Sequence, residues 1–328
     1  MTYSLLARRL ARFRTAIFAS LFVFATSCDN ESLDPSSEVE APPEVGGSEL
    51  LPIEDPAFSI SANRRGTQFG LWQLDWSQLS DQWTSLKKGS DPSGIRQDLE
   101  RARGKGARVF IMLAGDPKYY KTSSGKFDLT KFKERLNRFK SASIGTYIND
   151  GTFAGHILLD EPNDPSNWGG SPMSHSQVEA AAKYSKQLWP GLPTLVRARP
   201  TWLAKTSMSY SYLDGGWFQY VSRWGSVTGV RDSEISAAKK KGLKMVMGLN
   251  VINGGNGSSG MRGTKSGQWK MSASELLKYG SALIGASTSC GFLMWRYDGT
   301  YLGKTSIRDA MKQLRSKAGN TATTTCKS

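Results

Sequence analysis

From residue 67 onward the chain alternates short apolar runs with amphipathic stretches. Seven runs read as strands: Thr67 to Leu74, Val109 to Leu113, Ile157 to Leu159, Thr194 to Arg199, Trp217 to Trp224, Lys244 to Ile252 and Gly291 to Asp298. Between them lie stretches with helical spacing. Ile95, Leu99 and Ala102 follow the Asp91-Pro-Ser start, and Gly104 and Gly106 close that helix. Phe132, Leu136 and Phe139 follow Asp128, and Val178, Ala181, Ala182 and Leu188 lie in a helix from Ser174 that stops before Pro190-Gly191. Further helices are predicted from Ser233 to Lys241, Ser274 to Ile284 and Ile307 to Ser316.

Strands that alternate with helices imply a parallel sheet covered by helices. The fold class is therefore α/β, a (β/α)8 barrel of the TIM type, with seven strands legible. The eighth is expected within Thr201 to Gly215, where Trp202, Leu203, Met208 and Leu213 show no clear period. A doubly wound open sheet accommodates the same alternation, but no glycine-rich phosphate turn follows the first strand to favour it.

The barrel is assigned to residues 61–318, with a polar tail at 319–328. Residues 1–27 hold Arg8, Arg9, Arg12 and Arg14 without an acid, then an apolar run from Ala16 to Ala25 that reads as a secretory signal. Its end, Ala25-Thr-Ser-Cys28, resembles the bacterial lipoprotein box, which implies lipidation of Cys28, attachment to a membrane and an envelope location. With Cys28 lipidated, Cys290 and Cys326 remain as a pair in an oxidising compartment and are expected to form a disulfide. Three cysteines and two histidines without metal-ligand spacing argue against a structural zinc site, and neither a metal nor a cofactor is expected.

Residues 28–60 carry nine acids and no Lys or Arg among many Pro, Ser and Gly, the composition of an acidic tether. Removing residues 1–60 changes the net charge from +15 for the whole chain to about +20 for the remainder, which then holds 39 basic and 19 acidic residues. Such a surface attracts polyanions. It carries no nucleic-acid motif, and a monomer is expected.

The chemistry lies at the strand ends. Gly151 to Asp164 contains the run Ile157-Leu-Leu, then Asp160 and Glu161, then Pro162, which cannot donate a ladder hydrogen bond and so ends the strand. In parallel α/β architectures this edge carries the site. The other strand ends supply Gln73 and Asp75; Asp116; Arg197 and Arg199; Gln219 and Arg223; Asn250; and Arg296, Tyr297 and Asp298. Trp72, Trp76, Trp202, Trp224 and Trp295 are interleaved with them. Carboxylates beside indole rings suit sugar chemistry: an acid protonates the glycosidic oxygen, and flat aromatic faces hold pyranose rings.

Leu158-Leu-Asp-Glu-Pro-Asn163 resembles the Asn-Glu-Pro signature of the large clan of retaining glycoside hydrolases built on (β/α)8 barrels. The resemblance implies that Glu161 is the general acid/base and that Asp160 replaces the Asn that holds a sugar hydroxyl. Trp72 and Trp295 fall at common sugar-contact places. The clan's second Glu belongs near Asn250, where Lys244 to Asn256 contains no carboxylate. Asp298 is the substitute nucleophile or base, with Asp75 and Asp116 behind it.

Arg197, Arg199, Arg223 and Arg296 either clamp anionic groups of a substrate or neutralise Asp75, Asp160, Glu161 and Asp298 in a buried network. Three functions follow. The first is a lipid-anchored glycoside hydrolase acting on a polysaccharide or oligosaccharide, with Gln73, Asp75 and Asn250 among its substrate contacts. The second is a non-catalytic glycan-binding barrel. The third is a polysaccharide lyase using Arg223 or Arg296 with Tyr297 as base.

Overall fold

The computed structural model describes residues 66–78, 83, 85–89, 91–322 and 324–328. The expected signal segment, Cys28 and the acidic tether all lie outside the described residues. Eight parallel strands, β1 (Phe69–Trp72), β2 (Ser85–Gly89), β3 (Arg108–Met112), β4 (Phe153–Asp160), β5 (Thr194–Arg197), β6 (Gly215–Trp217), β7 (Lys244–Met247) and β8 (Ser289–Met294), pair in sequence order. The sheet closes where β1 pairs with β8, Gly70 opposite Leu293, so the open-sheet alternative does not apply.

Strand side chains divide between two faces because successive residues point to opposite sides of a sheet. Trp72, Phe110, Met112, Ile157, Leu195, Trp217, Val246 and Leu293 form one buried cluster, which fills the lumen. Leu71, Val109, Ile111, Leu158, Val196, Met245, Met247 and Phe292 belong to a second cluster, shared with the helices. The lumen is packed tightly enough to constrain the backbone. A Cβ at Gly248 would lie 1.7 Å from the Leu293 carbonyl oxygen, so only glycine fits there.

The eighth strand is not in residues 201–215. It is β2, Ser85-Leu-Lys-Lys-Gly89, whose single apolar residue gives no alternating pattern; its place is set by pairing on both edges, Gly70 with Ser85 and Leu86 with Val109. Residues 200–203 instead form a helical turn, and the backbone that follows is satisfied by two long side chains. Glu179 accepts from the N–H groups of Ser211, Tyr212 and Leu213, and Lys241 Nζ donates to the carbonyls of Thr206 and Met208. The absence of a period there reflects a loop held by side chains. The strand expected at 217–224 is also shorter: β6 ends at Trp217 and the chain continues as a 3-10 turn at Ser222–Trp224.

Nine helices cover the described barrel: α1 (Ile95–Gly104), α2 (Leu129–Asn137), α3 (Gly145–Asn149), α4 (His175–Leu188), α5 (Pro200–Leu203), α6 (Val227–Lys240), α7 (Ala273–Leu283), α8 (Gly299–Leu302) and α9 (Thr305–Gly319). Their starts follow capping chemistry. Asp128 caps α2 through the Lys131 N–H, and Ser174 with Gln177 and Ser272 with Glu275 form reciprocal capping boxes on α4 and α7. Among the described residues no helix is long and apolar enough to cross a membrane.

The carboxyl-terminal segment crosses the face where the strands begin. Thr321 bonds Thr67 ahead of β1, Thr324 donates to Ser289 at the start of β8, and Ser328 donates to Asp214 just before β6. The expected disulfide joins Cys290 to Cys326, with Cα atoms 4.9 Å apart and both residues buried in the lumen cluster. The polar tail is thus bonded across the barrel floor.

Candidate functional site

Glu161 follows β4 directly and holds a left-handed backbone conformation, φ 46°. That region is costly for a side chain with a Cβ, on the order of 1–3 kcal/mol, and persists only where the surroundings impose it. Three hydrogen bonds do so here. The Glu161 N–H donates to the Arg197 carbonyl at 3.1 Å, and the Glu161 carbonyl accepts from the Asp164 N–H at 3.0 Å and from Trp168 Nε1 at 2.9 Å. Trp168 is itself buried among Tyr120 and Phe127, so the donor is fixed.

Arg197, at the end of β5, forks the two acids. Its Nε bonds Asp160, and its terminal nitrogen lies 2.9 Å from Glu161 Oε2. The guanidinium also lies 5.3 Å from the Trp72 ring and 4.8 Å from the Trp295 ring. One side chain therefore ties the ends of β4 and β5 to the indoles of β1 and the segment after β8. Asn167 Nδ2 donates weakly to the same Glu161 oxygen at 3.4 Å, while Oε1 accepts no hydrogen bond among the described residues. The Glu161 side chain is 42% exposed against 11% for Arg197, so the glutamate presents one free oxygen over a nearly buried cation.

The structure separates other residues that sequence position had grouped. Trp72 is 7% exposed, packed on Trp217 at 5.2 Å and Trp295 at 4.9 Å; it lines the lumen and offers no open platform for a sugar. Trp295 stays half-buried at the mouth. Arg199 turns away from the carboxylates of β4 to Glu234 of α6, buried and also bound by Thr201, and it covers Trp224 at 4.4 Å. It is a fastener between β5 and α6. Arg223 is exposed on the 3-10 turn at Ser222–Trp224, and Gln73 and Asp75 are exposed after β1, where Asp75 accepts from Ser77 in a second 3-10 turn at Trp76–Gln78.

Asn250 sits where the clan's second glutamate was sought. Its Oδ1 accepts from the Asn253 N–H at 2.9 Å, and its backbone pairs with Trp295. The glycine-rich loop that follows, Asn253 to Gly260, is fastened. Asn253 Oδ1 accepts from the Thr264 N–H, Glu275 accepts from the Asn256 N–H, and Gly255 pairs with Trp269. Its glycines serve close approach, since a Cβ at Gly255 would lie 2.4 Å from the Lys270 carbonyl oxygen.

Arg296, Tyr297 and Asp298 leave β8 together. Arg296 is exposed; Tyr297 is half-buried, and its N–H donates to the Trp72 carbonyl. Asp298 caps α8 through the Tyr301 N–H at 2.9 Å and receives Lys270 Nζ at 2.6 Å on its other oxygen. Partial burial pushes its carboxyl up, but the Lys270 and Tyr301 hydrogen bonds, with the charges of Lys270 and Arg296, outweigh it and hold the group below the usual carboxylate range. Asp298 is therefore ionised. Among the described residues no group of three or more His, Cys, Asp or Glu side chains is arranged to hold a metal ion.

Closed eight-strand topology and the carboxylates after β4 set the frame for comparison with solved structures. Gas2 of Saccharomyces cerevisiae matches over 80% of this chain and 66% of its own, at 12% identity and a TM-score of 0.51. The chain has the fold of the barrel glycoside hydrolases. A variant of the same yeast protein, in complex with laminaritetraose and laminaripentaose, matches at 12% identity and a TM-score of 0.50 over 80% of this chain and 67% of its own. The endo-beta-1,4-mannanase from Thermotoga petrophila matches at 12% identity and a TM-score of 0.49, over 79% of this chain and 77% of its own. The chain thus spans about two thirds of the length of Gas2. No protein-family model and no curated protein matches the sequence.

Trp168, Asn167 and Lys270 were missed by sequence reasoning because each reaches the site from a loop. Trp168 carried the one usable signal, an aromatic residue seven positions after a strand-end acid, but nothing local distinguishes it from a core tryptophan.

Proposed function

We propose that this barrel is a glycoside hydrolase-like envelope lipoprotein that hydrolyses glycosidic bonds of a polysaccharide, with Glu161 as general acid/base. The observation that carries this reading is Glu161 itself, held in a left-handed conformation by three hydrogen bonds at the end of β4 with one carboxylate oxygen free. Strain imposed on a titratable residue at the strand-end edge of a barrel is a mark of a working site. The second carboxylate in this reading is Asp298, whose ionised state suits a nucleophile or base. Arg197 positions Glu161 and Asp160, and Trp295 contributes the aromatic wall.

A non-catalytic glycan-binding barrel is the second reading. It is favoured by the hydrogen bonds already made by both Asp298 oxygens and by Asn250 at the end of β7. Turnover of neutral and acidic oligosaccharides, laminari-oligosaccharides among them, separates the two. The hydrolase reading expects measurable hydrolysis that Glu161→Gln and Asp298→Asn each reduce by about 10² or more, with glycan binding retained. Binding without turnover by the wild-type protein selects the second reading.

The lipid anchor belongs to the same proposal. Cys28→Ser is expected to move the protein from the membrane to the soluble fraction; unchanged partitioning sinks the anchor.

A further inference from the structure

Beside the mouth, a cleft of about 210 Å³ opens between the exits of β1 and β8 and the start of α9. Its walls include Trp83, Tyr297, Arg308 and Lys312, with Gln78 at one edge. Arg308 and Lys312 stand one turn apart on α9, both exposed, and neither forms an ion pair among the described residues. No described residue lining the cleft is acidic. Like charges at this spacing on a helix repel, and an anion seated between them offsets the repulsion.

The aromatic walls are anchored. Trp83 stacks on Phe69 of β1 at 5.5 Å, and the Tyr297 N–H donates to the Trp72 carbonyl, so the Trp83 ring and the Tyr297 main chain are tied to the first strand. Tyr297 follows Trp295 and Arg296 on the same segment, which makes the cleft continuous along the chain with the mouth. A volume near 210 Å³ falls below that of a site for a drug-sized molecule and fits a single ring unit. Two aromatic rings flanking two unneutralised cations match a pyranose that carries a negative group.

We infer that this cleft is a subsite for an anionic sugar residue, bearing a carboxylate or a sulfate, of the glycan whose bond is processed at Glu161. The inference deepens the proposed function and rests on it. The charge of about +20 from residue 61 onward draws such a polyanion to the surface, and the cleft orients it. Arg308 holds the anionic group in a bidentate contact, Lys312 adds a point charge, and Trp83 and Tyr297 take the ring.

The test is binding by wild type, Arg308→Gln, Lys312→Gln and the double variant, measured by calorimetry. The probes are an oligogalacturonide, a sulfated oligosaccharide and a neutral oligosaccharide of matched length, each at low and high salt, with inorganic sulfate alone as a further arm. Wild type is expected to prefer an acidic over the neutral probe by about tenfold or more, and each single variant to lose about tenfold on that acidic probe, with a weaker salt dependence. Preference for the oligogalacturonide identifies the carboxylate, and preference for the sulfated probe the sulfate. Equal affinity for acidic and neutral probes, an unchanged ratio in the double variant, or sulfate binding as tightly as either acidic oligosaccharide each overturns the subsite. Turnover by wild type on the same probes separates this inference from the parent reading: acidic preference without hydrolysis of any probe defeats the hydrolase alone and leaves the subsite standing.

Discussion

Trp168 Nε1 donates to the main-chain carbonyl of Glu161 at 2.9 Å, joining a buried indole to a residue held in the left-handed region at the mouth. Replacing the indole with a phenyl ring removes the donor and leaves a small void. Trp168→Phe is expected to lower stability by about 1–3 kcal/mol and to reduce glycan turnover or affinity more than the stability loss explains. Urea denaturation and binding on the same preparation check both. Unchanged binding would mean that the remaining two backbone bonds hold Glu161 unaided.

Among the described residues, Arg197 is the only cation paired with both Asp160 and Glu161. Arg197→Met leaves Asp160, about three quarters buried, without its partner. The expected cost is about 2–4 kcal/mol, because a largely buried carboxylate is left without its cation. Arg197→Lys restores charge but not the fork and should recover less than half. Arg223→Ala, an exposed control, should stay within about 0.5 kcal/mol of wild type. Denaturation midpoints measure all three.

His156, fully buried on β4, shares a 2.8 Å hydrogen bond between Nδ1 and Ser185 Oγ, and its Nε2 has no partner. Burial lowers its pKa from 6.5 to about 3. Between these values the unfolded chain binds a proton that the folded chain does not, so stability falls as pH drops. The slope is about 1.4 kcal/mol per pH unit from this one group. Relative to wild type, His156→Phe should therefore gain stability by about that amount per unit between pH 6 and pH 4. Parallel denaturation curves at both pH values would show that His156 is not the group responsible.

The Cys290–Cys326 bridge closes a span of 36 residues and fastens the tail beneath the barrel. Reduction, or Cys326→Ser, should cost about 3–4 kcal/mol in the chain-entropy model. It should also release the last residues to protease, because Thr324 and Ser328 hold only side-chain and terminal bonds to Ser289 and Asp214. Mass spectrometry of nicked fragments with and without reductant reads the outcome.

By itself the sequence determined the repeating strand and helix pattern, the barrel class, the strand end that carries Asp160 and Glu161, and the Cys290–Cys326 pair. Each of these is written in local terms: an apolar run, a capping residue, a proline that stops a ladder, or the two cysteines that follow Cys28. Tertiary structure alone decided β2, because Ser85-Leu-Lys-Lys-Gly89 has no apolar alternation and becomes a strand only between two partners that need one. It also decided which arginine meets which acid. Arg197 and Arg199 differ by two positions and look equivalent, yet one joins Asp160 and Glu161 at the mouth and the other joins Glu234 on α6. The chain turns out of β5 between them into Pro200–Leu203, so the two side chains meet different acids. The same holds for Trp72, Trp168 and Lys270, whose surroundings come from segments tens to hundreds of residues away, where no local pattern records them.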